Sequence, residues 1–494
     1  MRDVDVLIVG AGISGIGAAH RLQTAHPRRT FAILEARDAV GGTWDLFRFP
    51  GIRSDSDMFT LGYPFRPWTE AEAIADGDSI LRYLQETAAE LGIDRHIRFR
   101  RRVVAAAWSS ARQRWDVEVR TTDGATELWT CAFLYLCCGY YRYDHGYTPD
   151  IPGLAAFAGP VVHPQAWPED LDVAGRRVVV IGSGATAVTL VPALAERGAR
   201  VTMLQRSPTW MIALPGTDPV SDALRRRLPG RLGHTAARWK NILTTQAFFQ
   251  ICHHAPRLGK RMLRAGLARV LPDPATIHTN FNPRYNPWDQ RLCVVPDADF
   301  FRAMRNGSAQ VVTDRIATAT PTGITCTSGR ELTADVLVTA TGLQLVAWGG
   351  IAVTVDGDPV DPGATLAYRG CLVSGVPNLA FCVGYVNASW TLRADLVARY
   401  VTRLLAYMDA QGYAVATPHP PHRMATRPLL DLSSGYIRRS LSALPRQGSR
   451  SPWVLRQNYL RDRYEMDRGD VAKDMEFTAP VRAPAAAVSA PTPP

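Results

Sequence analysis

None of the eight cysteines of this chain stands in a CxxC pair, and only Cys137 and Cys138 are adjacent. No His/Cys cluster has metal-ligand spacing. This pattern argues against a disulfide reductase, which needs a redox-active cysteine pair, and buried, reduced thiols are the expectation. No apolar stretch is long enough to cross a bilayer. The N-terminal apolar run 4–9 passes directly into a glycine turn and does not resemble a signal peptide, so a cytoplasmic protein is expected. Acid is also short: 45 Asp and Glu stand against 56 Lys and Arg, a formal charge of +11. Much of the excess falls on Arg225, Arg226, Arg227, Arg231, Arg238, Lys240 and the stretch 257–269. No recognition motif accompanies it, so nucleic acid is not an expected partner. Apolar residues interleaved through 258–271 predict a basic amphipathic helix. A solvated face and a peripheral contact with anionic lipid both stay open for it.

Glycine is what organises the chain. Gly10-Ala11-Gly12-Ile13-Ser14-Gly15 follows an apolar run and opens helical periodicity over 13–22. Gly182-Ser183-Gly184-Ala185-Thr186-Ala187 follows the run 177–181 and opens a second helix over 188–197. One such motif is weak; two, each set between a strand and a helix, are a strong signal for dinucleotide binding. The first glycine makes the turn and the second lets backbone approach a pyrophosphate. The third, or a small Ala, lets helix pack on strand. The pyrophosphate then meets free N–H groups at a helix N-terminus. In the first unit the next strand, 31–34, ends at Glu35, which suits ribose hydroxyls and repels a 2′-phosphate. FAD or NAD fits there. In the second unit the strand 201–204 runs into Gln205-Arg206-Ser207, and a guanidinium fork suits a 2′-phosphate. NADPH fits there. Two nucleotides on one chain imply electron transfer from one to the other.

The length of 494 residues suits two to four domains. The fold class expected is α/β, with two Rossmann-like dinucleotide-binding domains. The first would take residues 1–140, including an antiparallel meander with a hairpin turn at Asp123-Gly124. A Pro-, Gly- and Tyr-rich linker would cover 141–175. The second domain would span 176–335, interrupted by a helical, basic insertion at about 216–275. Residues 336–478 would return to the first domain, and the Ala- and Pro-rich 479–494 would be a disordered tail.

Two further stretches have no purpose that spacing alone reveals. One is Gly41-Gly42-Thr43-Trp44, followed by Phe49-Pro50-Gly51 and Asp55. The other is Phe157, Gly159, His163, Trp167 and Pro168. They meet the patterns (A/G)GxWxxxx(F/Y)P(G/M)xxxD and FxGxxxHxxxW followed by Pro or Asp. By these motifs the chain resembles the type I Baeyer–Villiger monooxygenases, a class of flavoproteins. The resemblance implies FAD and NADPH as cofactors and O₂ as co-substrate. It implies hydride transfer to the flavin, a C4a-peroxyflavin, and conversion of a ketone to an ester or lactone. Sulfur compounds such as thioethers and thioamides are implied side substrates. Arg291 takes the family's catalytic position, with Asp55 as its partner. The implied FAD contacts are Gly10, Gly12, Ser14, Gly15, Glu35, Thr43, Trp44, Asp45, Leu46, Asp55 and Val103. Those for NADPH are Arg53, Ser54, Gly182, Ser183, Gly184, Ala185, Thr186, Ala187, Arg206 and Ser207. His163 and Trp167 are read as supports of the linker. One departure stands out: many family members carry Lys just before the catalytic Arg, where this chain has Gln290. NADPH preference then rests mostly on Arg206. An N- or S-oxidising flavin monooxygenase, an NADPH oxidase or reductase, and a nucleotide-sensing protein remain alternatives.

Overall fold

A computed structural model describes residues 2–481. The strand Arg2–Val9 lies inside the larger sheet, paired in parallel with Phe31–Leu34 on one side and Thr126–Leu136 on the other. Its last four residues are buried, as a parallel strand covered on both faces must be. Helix Ile13–Ala25 packs against Trp390–Gln411 over one face. The meander Arg101–Ser109, Arg114–Thr121 and Thr126–Leu136 extends the sheet in antiparallel fashion. Gly124 takes φ +85° at the hairpin turn, a conformation that costs glycine nothing. Strand Leu379–Phe381 pairs with the far end of Thr126–Leu136, in parallel.

The second sheet has five parallel strands in the order Ala309–Thr313, Arg200–Gln205, Arg177–Ile181, Val336–Thr339, Val161–Val162. This corrects two expected boundaries. Val336–Thr339 does not return to the first domain; it completes the second sheet beside Arg177–Ile181. All four of its residues are buried, and a run buried on both faces suits either sheet equally, so sequence could not choose. The chain rejoins the larger sheet only at Ala352–Val355, parallel to Arg101–Ser109. The linker is likewise part of the second sheet, because Val161–Val162 forms its edge. Of the expected tail, 482–494 lies outside the described residues.

The insertion consists of helices Pro219–Arg227, Arg231–His254 and Pro256–Val270, followed by Pro274–Asn280. It interrupts the second domain in sequence and packs on both: Pro256–Val270 lies against Met211–Leu214 of the second, and the earlier part docks on the first. The amides of Ala73 and Ile74 donate to the Gly216 carbonyl at 2.8 and 3.2 Å, and helix Met58–Leu61 packs on Arg231–His254. Among the described residues no helix is long and apolar enough to cross a membrane. All eight cysteines are free, seven buried and Cys138 partly so, as the sequence leads one to expect.

Candidate functional site: two nucleotide units on one cavity

Each nucleotide motif is a strand, a glycine turn and an uncapped helix. Gly10 and Gly182 take φ +103° and +136°. A Cβ at Gly10 would stand 2.8 Å from the Cys137 carbonyl oxygen, and one at Gly182 2.2 Å from that of Ala340. No other residue fits either turn. Helix Ile13–Ala25 begins at Gly12 and helix Ala185–Glu196 at Gly184. Neither has a side-chain cap or an acid in its first turn. The first-turn N–H groups therefore remain available to an anion. Gly15 permits the close approach of helix to strand, since a Cβ there would lie 1.9 Å from the Gly10 carbonyl oxygen. Ala187, fully buried, stands at the matching place in the second unit.

The first turn opens onto a cavity of about 780 Å³, within the size range of cofactor sites, and the helix start that follows the second turn borders the same cavity. It is lined by Gly10, Gly12, Ser14 and Glu35 at one end and reaches Ala185 and Thr186 of the second unit. Thr43, Trp44, Val103, Arg53, Ser54, Asp55 and Arg291 also line it. These donors, the bare turn and the uncapped helix fit a flavin dinucleotide.

The side chains differ in what they have left to offer. Glu35 is 6 % exposed; its two oxygens accept from the Ala11 and Arg37 amides at 2.7 and 2.9 Å. Any ribose contact must use its remaining lone pairs. Asp45 is buried between Arg37 and Arg48, at 2.5 and 2.9 Å, and neither it nor Leu46 reaches the cavity wall. Its role here is to hold Arg37 beside Glu35. The Ser54 hydroxyl accepts from the Ala75 amide at 3.2 Å, and Arg53 pairs with Asp299. Ser14 accepts from the Trp390 indole N–H at 2.7 Å. In the second unit Ser183 donates to the Ser207 carbonyl at 3.2 Å, while Arg206 and Ser207 are exposed. No acid among the described residues pairs with Arg206.

Arg291 and Asp55, 236 positions apart in sequence, meet at 2.7 Å on the cavity wall. The carboxylate is the main cause that raises the Arg291 pKa further, so the guanidinium keeps its charge at any working pH. Burial raises the hydroxyl pKa values of the surrounding tyrosines, Tyr140 and Tyr436 strongly and Tyr141 to about 12. They stay neutral donors. Tyr140 stacks on Trp390 with ring centroids 5.1 Å apart, and its hydroxyl lies 3.3 Å from that of Tyr141. The Arg291 loop is tied down from the C-terminal side: the Ser433 amide and hydroxyl donate to the Asp289 carbonyl at 2.7 and 2.9 Å. The sequence reading missed this aromatic wall. The Tyr-rich linker was the one visible signal, and nothing local connects Tyr436 to Arg291.

His163 donates from Nε2 to the Gly342 carbonyl at 3.2 Å and accepts at Nδ1 from the Gln165 amide at 3.1 Å. Burial lowers its pKa and leaves it neutral. Both nitrogens are engaged with backbone, which fits a linker support.

Comparison with known proteins agrees with this architecture. Residues 62–221 match the flavin-binding monooxygenase-like family, and 8–74 match an NAD(P)-binding Rossmann-like domain. The FAD-containing monooxygenase EthA of Mycobacterium tuberculosis (strain ATCC 25618 / H37Rv) is 54 % identical over 470 residues, 95 % of this chain and 96 % of the relative. The probable FAD-binding monooxygenase AlmA of Acinetobacter baylyi is 46 % identical, over 94 % of this chain and 93 % of its own. Among solved structures, oxidized steroid monooxygenase bound to NADP shares the fold with a TM-score of 0.74 at 23 % identity, covering 97 % of this chain and 100 % of that one. The open structure of cyclohexanone monooxygenase does so with 0.75 at 20 % identity and the same coverage. A relative more than half identical over nearly the whole of both chains settles the family: the chain belongs to the FAD-containing monooxygenases.

Proposed function

We propose that this chain is an NADPH- and O₂-dependent Baeyer–Villiger monooxygenase. It inserts one oxygen atom beside a ketone carbonyl to give an ester or lactone, and it oxidises thioethers or thioamides at the same site. NADPH supplies two electrons, and the second oxygen atom leaves as water. The observation that carries the reading is the Arg291–Asp55 pair on the wall of the cavity bordered by the first glycine turn and by the helix start of the second unit.

FAD, reduced by NADPH, supplies the activated oxygen. The protein's own groups do the rest. Uncapped helix starts at Gly12 and Gly184 bind the two pyrophosphates. Arg206 takes the 2′-phosphate. Arg291 holds a permanent positive charge where negative charge develops on oxygen, and fixed charge of this kind needs no reorganisation during reaction. Asp55 aims it. Trp390 and the three tyrosines keep water from the reacting atoms. An amine-oxidising enzyme gains nothing from a cation at that place, which favours the ketone reading.

The test is anaerobic titration with NADPH, watching the flavin bleach, then admission of O₂ with a panel of ketones, a thioether and an amine. Esters or lactones as products support the reading. Amine oxygenation alone, or hydrogen peroxide with every substrate, overturns it.

A surface partner belongs to the same proposal. The outer side of helix Pro256–Val270 carries Arg257, Arg261, Arg264 and Arg269 with exposed Leu258 and Met262, and the helix holds no acid. Such a face suits an anionic lipid surface. Co-sedimentation with phosphatidylglycerol but not phosphatidylcholine vesicles is the expected result; equal recovery with both would dismiss the contact.

A further inference from the structure

One half-buried arginine of the insertion reaches into the first domain. Arg238, on helix Arg231–His254, donates from a single nitrogen to the carbonyls of Phe59, Thr60 and Gly62 at 3.0, 3.2 and 2.7 Å. Those carbonyls close the C-terminal end of the short helix Met58–Leu61. No carboxylate among the described residues lies within ion-pair distance of Arg238; Asp395 and Asp57 act on it only at longer range, and backbone oxygens are its direct partners. Burying a guanidinium costs enough that its contacts must be well made. A helix of four residues, whose Gly62 amide already closes it on the Met58 carbonyl, has no need of such an expensive cap for its own sake.

What that helix holds explains the arrangement. Asp55 sits between two pinned residues: the Ser54 amide donates to the Ala75 carbonyl at 2.9 Å, and the Met58 amide to that of Ala73 at 2.7 Å. Residues 73 and 74 in turn donate to Gly216, where the insertion begins. At the other end, Thr60 shares a hydrogen bond of 2.5 Å with Ser389, the residue before Trp390 of the cavity wall. Asp57 caps the helix start through the Thr60 amide and hydroxyl at 2.9 and 2.7 Å. A second arginine of the insertion supports the same segment, with Arg225 set 5.1 Å over the Phe59 ring.

We infer that Arg238 is a positioning residue for oxygenation: from the insertion it clamps segment 54–62 and so fixes Asp55, and through Asp55 the guanidinium of Arg291. The inference rests on the Proposed function for its reaction, but its structural half can be read without turnover. A carboxylate displaced by a fraction of an ångström no longer aims Arg291, and misplacements of that order cost tenfold or more in rate.

The test uses the holoenzyme. Arg238→Met is expected to keep FAD and to oxidise NADPH at near the wild-type rate. The share of NADPH ending in oxygenated ketone should fall roughly tenfold, with hydrogen peroxide making up the difference. In a double-variant cycle, Arg238→Met should add little to Asp55→Asn, because both act through the same pair. Hydrogen exchange gives the independent reading. Amides of 53–57 and of 286–292 should both exchange faster in Arg238→Met. Faster exchange confined to 58–62, or effects that multiply in the cycle, would reduce Arg238 to a local cap and overturn the inference. If Arg238→Met does not hold FAD, the same exchange comparison is made on Arg238→Lys, which keeps the charge but reaches fewer carbonyls; unchanged exchange at 286–292 would overturn it equally. Should the wild type oxygenate no ketone, the Proposed function fails, while exchange still decides whether Arg238 holds the pair.

Discussion

The two nucleotide units share a turn and differ in the residue at the end of the strand beside it. In the first, the Gly10 amide donates to the Leu34 carbonyl at 2.8 Å; in the second, the Gly182 amide donates to that of Leu204 at 2.9 Å. The next residues are Glu35 and Gln205, both buried. Glu35 takes two backbone amides and closes the first turn upon itself. Gln205 faces the other way, donating to the Asn280 carbonyl and to Thr313 at 2.7 and 2.8 Å. Its Oε1 is buried without a hydrogen-bond partner among the described residues, and beside it Arg206 stands exposed. The first site is complete within its own backbone, as suits a nucleotide that stays bound. The second leaves only the Arg206 cation exposed and unpaired among the described residues, as suits one that comes and goes. On the proposed assignment, one turn geometry serves a resident and a visiting cofactor, and the residues at the end of the neighbouring strand make the distinction.

The sharpest way to break this comparison is to obstruct each turn in the same manner. Gly12→Val is expected to give colourless protein, because the side chain would stand where backbone meets pyrophosphate. Gly184→Val should keep the yellow flavin and lose reduction by NADPH. A Cβ at Gly184 meets nothing within 4 Å, so its effect falls on the ligand and not on the fold. At Gly12 the nearest atom is the Gly42 Cα at 3.6 Å, and some packing cost is expected as well. Absorbance at the flavin band and stopped-flow reduction read both variants. A colourless Gly184→Val beside a yellow Gly12→Val would exchange the two assignments.

Next in size is the place where the two units meet. Arg291→Ala should leave FAD bound and reducible, while ester formation falls about 10²-fold or more. Product formation near the wild-type rate would remove Arg291 from the reaction and leave the shared cavity without its defining group.

What could be read in the sequence follows from range. The strand–glycine–helix units are local: strand 177–181 and strand 31–34 fall where apolar runs end in turn residues. Helix Ile13–Ala25 extends three residues beyond its periodic stretch, since helix ends depend on caps and not on periodicity. The placing of Val336–Thr339 was not legible, because an all-buried strand carries no mark of its neighbours. In the site, Glu35 and Arg206 follow from position after a strand. The Asp55–Arg291 assignment came from family resemblance and not from spacing. Asp45 illustrates the limit: it lies inside a motif, yet its carboxylate is engaged by Arg37 and Arg48. The tyrosine wall and the Arg238 clamp join segments far apart in the chain, and only the fold brings them together.

A smaller effect sharpens the second half of the comparison. Arg206→Ala should raise the KM for NADPH roughly 10- to 100-fold and that for NADH little, because a charge-assisted contact to the 2′-phosphate is worth a few kcal/mol at most. Gln290 supplies no second cation, so nothing beside Arg291 shields the loss. Initial rates with both nucleotides decide it. A parallel rise in both values would make Arg206 structural and leave the open second site unexplained.

The smallest expected effect tests whether the first site is closed by a charged or a neutral group. Burial is the largest influence on Glu35 and raises its pKa above 4.5, against the opposing hydrogen bonds from the Ala11 and Arg37 amides. A carboxyl with a raised folded pKa binds its proton more tightly in the folded chain than in the unfolded one. The stability this adds is fully present below the unfolded pKa and is lost as pH rises through the folded value. Glu35→Gln keeps the shape and one acceptor oxygen but cannot titrate, and it places in the first unit the residue that the second unit carries. Between pH 4.5 and neutrality, the apoprotein's Tm should therefore decline more in the wild type than in Glu35→Gln. Thermal unfolding of the two proteins across that window measures the difference directly, since every other titrating group is common to both. Equal slopes would mean that the backbone amides offset burial completely, so that Glu35 folds in as an ordinary carboxylate. The contrast with Gln205 would then rest on hydrogen bonding alone.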